Sequence, residues 1–127
     1  MQFKECYQNP FIEERADPYI TLGPDGFYYF TASYPMKSAD DKDGYDRVIL
    51  RRAKDISELA SAEEITIWKV ADTTLTHRFI WAPELHYLFG KWYLYYAGGD
   101  KDDIWAIRPY VLECQGDDPV HDPWVEK

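Results

Sequence analysis

One stretch of this chain occurs twice. Asp17-Pro18-Tyr19-Ile20-Thr21-Leu22, followed by Gly26-Phe27-Tyr28-Tyr29-Phe30, returns as Glu84-Leu85-His86-Tyr87-Leu88-Phe89, followed by Gly90-Lys91-Trp92-Tyr93-Leu94. In this alignment only the insertion Gly23-Pro24-Asp25 separates the two registers. Each copy begins with a carboxylate, passes through a short apolar run, turns at a glycine and continues into an aromatic run. Self-similarity at this period signals stacked supersecondary units, none of which can bury its apolar face alone. The alignment pairs Asp17 with Glu84. If the units surround an axis, the two carboxylates are expected at equivalent places on it. Paired carboxylates facing one space are what glycoside hydrolysis requires.

The residues around the repeat read as short antiparallel strands. Residues 1–16 form an arm without periodicity. Strands are expected at about Tyr19–Leu22, Phe27–Ser33, Tyr45–Lys54 and Ile65–Val70. Gly23-Pro24-Asp25-Gly26 supplies the first turn, because glycine permits positive φ and proline presets the bend. Asp55–Ala62 reads as one helical turn, with Asp55 as N-cap and Glu58 three residues on. The pattern then restarts at Glu84–Leu88 and Lys91–Ala97, with a hairpin at Phe89-Gly90. Ile104–Cys114 is the next strand, with Pro109 marking an edge or a break, and Trp124–Glu126 begins the last. Four short strands in about 65 residues match one blade of a β-propeller, which closes with four to eight blades. The fold class is therefore all-β. One domain is expected over residues 1–127, with blade I at about 17–70 and blade II at about 81–127.

Composition narrows the chemistry. The chain has 127 residues, 46% hydrophobic, which is enough apolar material for a core. Aromatics are 17%, eleven of them tyrosine. Such rings fill sheet interfaces first, and they also match the flat apolar face of a sugar. The net charge of −9 and the lack of a basic patch argue against a nucleic-acid partner. The acidic runs Asp40-Asp41-Lys42-Asp43 and Asp100-Lys101-Asp102-Asp103 lack calcium-loop spacing and read as solvated turns. His77, His86 and His121 have no zinc-ligand spacing, so neither a metal nor a cofactor is expected. Cys6 and Cys114 read as free thiols. No apolar run approaches 18 residues, so no membrane partner is expected, and residues 1–16 have no signal-peptide core. A cytoplasmic location is the default, with a mature secreted form, its signal removed, as the alternative.

Several motifs fall in order along the chain: Arg15-Ala16-Asp17-Pro18, Tyr28-Tyr29-Phe30, Arg51-Arg52-Ala53, Trp81-Ala82-Pro83-Glu84-Leu85-His86 and Gly90-Lys91-Trp92-Tyr93-Leu94-Tyr95. Tyr110-Val111-Leu112-Glu113 and Asp117-Asp118-Pro119 follow them. Together they resemble glycoside hydrolase family 43, most closely its α-L-arabinofuranosidase branch, from about residue 7 to the end. The resemblance implies a five-bladed β-propeller of twice this length or more. It implies an inverting hydrolase acting on α-L-arabinofuranosides or β-xylosides of plant polysaccharides. Asp17 matches the general base. Glu84 stands at the position the resemblance gives to a pKa-tuning residue, where many members carry aspartate. Trp81 matches an aromatic bordering the sugar pocket. The general acid belongs to a third blade, for which this chain offers no residue.

Each of these residues also has a plainer reading. Asp17 and Glu84 could cap strands, and Trp81 and Phe79 could be core. Arg15 could pair with Asp17 or Glu84 or sit on the surface, and Phe79 could close a pocket rim. These two join Trp81 as candidate substrate contacts. His86 faces away from Leu85 and Tyr87 and reads as structural. Three functions follow: the N-terminal part of an inverting glycosidase, inactive alone for want of the acid; a non-catalytic sugar-binding module; or an assembly fragment. Two blades leave apolar faces uncovered, so the chain is expected to form a homo-oligomer or to associate with the missing blades. Light scattering should find it associated at micromolar concentration; a monodisperse, well-folded monomer would overturn that expectation.

Overall fold

A computed structural model describes residues 7–40, 44–73, 79–100 and 102–127. Cys6, His77, Asp41, Lys42, Asp43 and Lys101 lie outside the described residues. Among the described residues eight strands form two four-stranded antiparallel sheets, each a simple meander. The first contains β1 (Ala16–Leu22), β2 (Tyr28–Ser33), β3 (Arg47–Ala53) and β4 (Ile65–Lys69). The second contains β5 (Ile80–Leu88), β6 (Lys91–Gly98), β7 (Arg108–Cys114) and β8 (Trp124–Glu126). The hairpin turns have positive φ at Gly26 (82°) and Gly90 (78°), a conformation glycine adopts without a Cβ clash.

Two local expectations are corrected. The strand foreseen at Ile104–Cys114 begins at Arg108, because residues 103–106 form a turn instead. There Asp103 Oδ1 accepts from Trp105 N (2.9 Å) and Asp103 O accepts from Ala106 N (3.0 Å). The helical turn is a 3-10 turn over Ile56–Ala60, and its cap Asp55 bonds Ser57 N (2.9 Å) rather than forming a reciprocal box with Glu58.

The two sheets pack face to face. Tyr29, Val48, Leu50 and Trp68 of the first meet Leu85, Trp92, Leu94, Tyr96 and Leu112 of the second in one buried cluster. The Tyr29 and Trp92 rings lie 4.9 Å apart, tilted at 60°. Gly23 makes room for them, since a Cβ there would come within 2.8 Å of the Trp92 ring and 2.9 Å of the Tyr29 ring. Arg52 crosses the seam to Asp118 (2.9 Å), and Ile80 N donates to Tyr45 O (2.8 Å). A second cluster covers the outer face of the first sheet, where Phe11 and Ile12 of the arm and Leu59 pack on Phe30, Ala32 and Ile49. Strand β2 is therefore buried on both faces, which explains its unbroken run Tyr28-Tyr29-Phe30.

The arm is held by a shared carboxylate. Glu64 accepts from Arg15 Nη2 (2.5 Å) and from Arg51 Nε (3.1 Å), and Arg51 also bonds Ala60 O (2.9 Å). Burial alone would raise the Glu64 carboxyl. The bonds and charges of Arg15 and Arg51 outweigh burial and hold it below its ordinary value of 4.5. A depressed folded value means this stabilisation is present above the unfolded pKa and is lost as pH falls through the folded one. Glu64→Gln should lower the urea-unfolding free energy at pH 7 by about 1–3 kcal/mol, between the exposed and buried limits for ion pairs. It should also flatten the decline in stability from about pH 5 downward.

Candidate functional site

Both inner strands begin with the same irregularity. Ala16 pairs with Ser33 and Tyr19 with Thr31, so Asp17 and Pro18 bulge opposite one residue. Trp81 pairs with Ala97 and Glu84 with Tyr95, so Ala82 and Pro83 bulge in the same way. Asp17 (φ 50°) and Ala82 (φ 47°) share the left-handed conformation. A bulge of this kind re-aims one side chain out of the sheet's alternation. The expected equivalence of Asp17 and Glu84 is therefore corrected by two residues: Asp17 corresponds to Ala82, and Glu84 corresponds to Tyr19. Beyond the turn the sequence alignment holds, with Tyr28 matching Trp92 and Tyr29 matching Tyr93.

The two bulges meet at one hydroxyl. Ser33, fully buried, accepts from Ala82 N (2.7 Å) and donates to Asp17 Oδ2 (2.8 Å). The carboxylate of the first sheet is thus oriented by the backbone of the second. Asp17 Oδ1 takes no other bond among the described residues, which leaves it free to accept from a water or a hydroxyl.

Asp17 opens into a cavity of about 670 Å³ lined by Met36, Tyr45, Phe79, Trp81 and Trp105 among others. Phe79 and Trp81, both named from the sequence, join Asp17 here. Their rings are 5.3 Å apart, and Tyr45 meets the Phe79 ring edge-on at 5.7 Å. Trp81 lies nearly parallel to Trp105, at 18° with centroids 6.4 Å apart. The cavity is walled largely by aromatic rings, with the exposed carboxylate of Asp17 in its lining. It can hold a ring with an apolar face and polar edges, and activate a water beside it.

Glu84 and Arg15 are placed elsewhere. Glu84 lines an adjoining cavity of about 260 Å³ with Tyr95, Tyr96 and Arg108, which shares Ala97 and Ile107 with the first. Its side chain is 55% exposed and its Oε2 lies 3.1 Å from His86 Nε2. His86, read as structural, stands between the rings of Tyr19 (5.5 Å) and Tyr95 (5.8 Å). Arg15 pairs with neither Asp17 nor Glu84. Its partner is Glu64, and its guanidinium lies 4.1 Å from the Tyr34 ring centroid, which is neither of the pairings weighed from the sequence. Among the described residues no group of three or more His, Cys, Asp or Glu side chains is arranged to hold a metal ion.

Ser33, Met36, Tyr45, Ile104, Trp105 and Ile107 join the site unforeseen. The positions of Met36 and Trp105 follow from turns, which side-chain alternation does not describe. Ser33 closes an otherwise apolar strand, and that lone hydroxyl was the available signal.

Residues 7–127 match the family described as Glycosyl hydrolases family 43. An "Extracellular exo-alpha-(1->5)-L-arabinofuranosidase" of Streptomyces avermitilis is 46% identical over 95% of this chain, which spans 24% of that relative. Its namesake from Streptomyces chartreusis is 44% identical over 95% of this chain, here spanning 34% of the relative. The crystal structure of an α-L-arabinofuranosidase from Lactobacillus brevis superposes with a TM-score of 0.77 at 42% identity, covering 94% of this chain and 37% of that one. The chain thus spans about a quarter to a third of the curated relatives it matches. Ser33→Ala would leave the Ala82 N–H and Asp17 Oδ2 without their shared partner. It should lower the unfolding free energy by about 1–2 kcal/mol with an unchanged urea m-value.

Proposed function

This chain belongs to glycosyl hydrolase family 43, and from that premise and the Asp17 cavity we propose that it supplies the general base and the inner aromatic wall of an inverting arabinofuranosidase. The observation that carries this reading is Asp17 itself: a bulged, serine-oriented carboxylate opening into an aromatic cage. The two sheets are read as the first two blades of the family's five-bladed propeller, blade I about 17–70 and blade II about 81–127.

The base works by taking a proton from water as the water oxygen bonds to the anomeric carbon. The glycosidic oxygen leaves on the opposite face and takes a proton from a separate acid. Ser33 keeps one carboxylate oxygen engaged, so the other is the proton acceptor. Trp81 and Phe79 hold the sugar ring and keep bulk water out. None of the described residues is assigned as the acid, so the 127-residue chain alone is inactive in this reading. The relatives' names favour an arabinofuranoside over a xyloside, and the word extracellular in them favours the secreted alternative over the cytoplasmic default. Association, with further copies or with the remaining blades, covers the sheet faces left open. Among the described residues no helix is long and apolar enough to cross a membrane.

The tuning role that the resemblance gives Glu84 has mixed support. Its cavity adjoins that of Asp17, yet its carboxylate is largely exposed and engaged by His86. A non-catalytic sugar-binding role is the second reading, favoured by the aromatic walls of the cavity, while none of the described residues is assigned as the acid. Calorimetry with arabinose and xylose showing no heat would sink it.

The catalytic reading is tested with 4-nitrophenyl α-L-arabinofuranoside. The isolated chain should release no 4-nitrophenol above buffer. Substituted for the matching part of the Lactobacillus brevis enzyme, it should support turnover, and Asp17→Asn should cut kcat by at least about 10²–10⁴-fold. Turnover that survives Asp17→Asn would overturn the assignment. Glu84→Gln in the same chimera should move the alkaline limb of the pH–rate profile to lower pH if Glu84 tunes the acid, and should leave it in place if Glu84 serves only His86.

A further inference from the structure

We propose that Arg15, Tyr34 and Arg47 form a positioning cluster for Asp17, acting on the base through the Ser33–Tyr34 segment and not on the sugar. This rests on the reading of Asp17 as general base and deepens it. Arg15 and Arg47 both hold their guanidiniums over the Tyr34 ring, at 4.1 and 4.2 Å from its centroid. Each guanidinium is fixed by a different carboxylate. Arg15 donates twice to Glu64, from Nη2 (2.5 Å) and Nε (3.2 Å), and Arg47 donates twice to Asp46, from Nε (2.7 Å) and Nη2 (3.2 Å). Such two-point pairs set the angle of the guanidinium plane as well as its distance. They also offset the repulsion of two cations meeting at one ring. All these bonds are made by the strands of the first sheet and the residues adjoining them, and the Arg15 side chain is only 12% exposed.

The ring they hold belongs to the residue after Ser33, whose hydroxyl donates to Asp17 Oδ2 (2.8 Å) and accepts from Ala82 N (2.7 Å). The carbonyl of Tyr34 accepts from Tyr45 N (2.6 Å), and Tyr45 lines the Asp17 cavity. Tyr34 therefore joins the hydroxyl that orients the base to a ring that walls the cavity. The other end of the cluster is as close. Arg15 lies between Glu14 (φ 55°) and Asp17 (φ 50°), two non-glycine residues in the left-handed region. Such backbone persists only where its surroundings over-determine it. Arg15 supplies that constraint here, since its Nη1 donates to Glu14 O (2.5 Å) while Glu64 and Tyr34 hold the rest of the guanidinium. The bulge that carries the base is thus held from both strands, by Arg15 along β1 and by the Ser33–Tyr34 segment at the end of β2. A reacting group misplaced by about 1 Å loses about 10²-fold in rate, so a hold of this kind acts on turnover.

The test has two arms. In the Lactobacillus brevis chimera, Tyr34→Leu and Arg15→Met should each cut kcat by about tenfold or more and leave KM within about twofold. Tyr34→Phe keeps the ring and should hold kcat within about threefold of the unmodified value. Val120→Ala opens the buried cluster at the seam, to which Tyr34 does not belong. It should destabilise the fold and leave kcat within about twofold. In the 127-residue chain, the Ala82 amide should exchange its hydrogen about tenfold faster, relative to the other β5 amides, in Tyr34→Leu and Arg15→Met, and at its native rate in Tyr34→Phe. A kcat preserved in Tyr34→Leu and Arg15→Met, a kcat lost equally in Val120→Ala, or a raised KM with kcat intact overturns the proposal while leaving Asp17 as the base. A chimera without turnover before any of these substitutions removes the base reading instead. The Ala82 exchange then decides for the cluster, with faster exchange supporting its hold on Ser33 and an unchanged rate overturning it.

Discussion

The seam between the two sheets is apolar along its length and polar at selected points, and the site depends on that division. Leu85, Leu94, Leu112 and Trp92 meet Tyr29, Val48 and Leu50 without a buried charge between them. Burial of this kind is non-directional and fixes only how closely the sheets approach. Direction comes from a few hydrogen bonds, and at the site it comes from Ser33. Its hydroxyl is fully buried and spends its donor on Asp17 and one acceptor position on Ala82 N. Were the sheets to slide, that hydroxyl would lose a partner in a place where water cannot easily replace it. Core packing and the geometry at Asp17 are therefore coupled through Ser33.

Much of the architecture was legible because it repeats. Two aromatic runs after two glycine turns were enough to foresee two meanders of four strands. Their offset was harder. A strand slipped by two residues keeps every side chain on its original face, so alternation cannot distinguish the two registers. The alignment that paired Asp17 with Glu84 made that slip. Pro18 and Pro83 carried the correction, since each follows the positive-φ residue of a bulge. Aligning the prolines puts Asp17 on Ala82 and reduces the insertion in the turn from three residues to one.

What the sequence concealed lies in turns and in neighbours brought from afar. Arg15 is two residues from Asp17, but Glu64 from the edge of the sheet claims it. Tyr45 and Trp105 reach the cavity from just outside β3 and β7, where the strand pattern was extended over residues that fold as loop and turn. Trp81 was recognisable through its motif, Phe79 stood only as a rim candidate beside a core reading, and their packing with Tyr45 needed the folded chain.

The shared bulge geometry has one further consequence. Asp17 and Ala82 occupy the same slot in successive sheets and are joined through one hydroxyl, two hydrogen bonds apart. The backbone offers this seam two equivalent stations, and only one carries charge. A carboxylate in the second station would bring like charges near each other and disfavour ionisation of either. The methyl group of Ala82 thus does chemical service by being inert. It keeps a symmetric scaffold electrically asymmetric, with Asp17 the one carboxylate bonded to the shared hydroxyl.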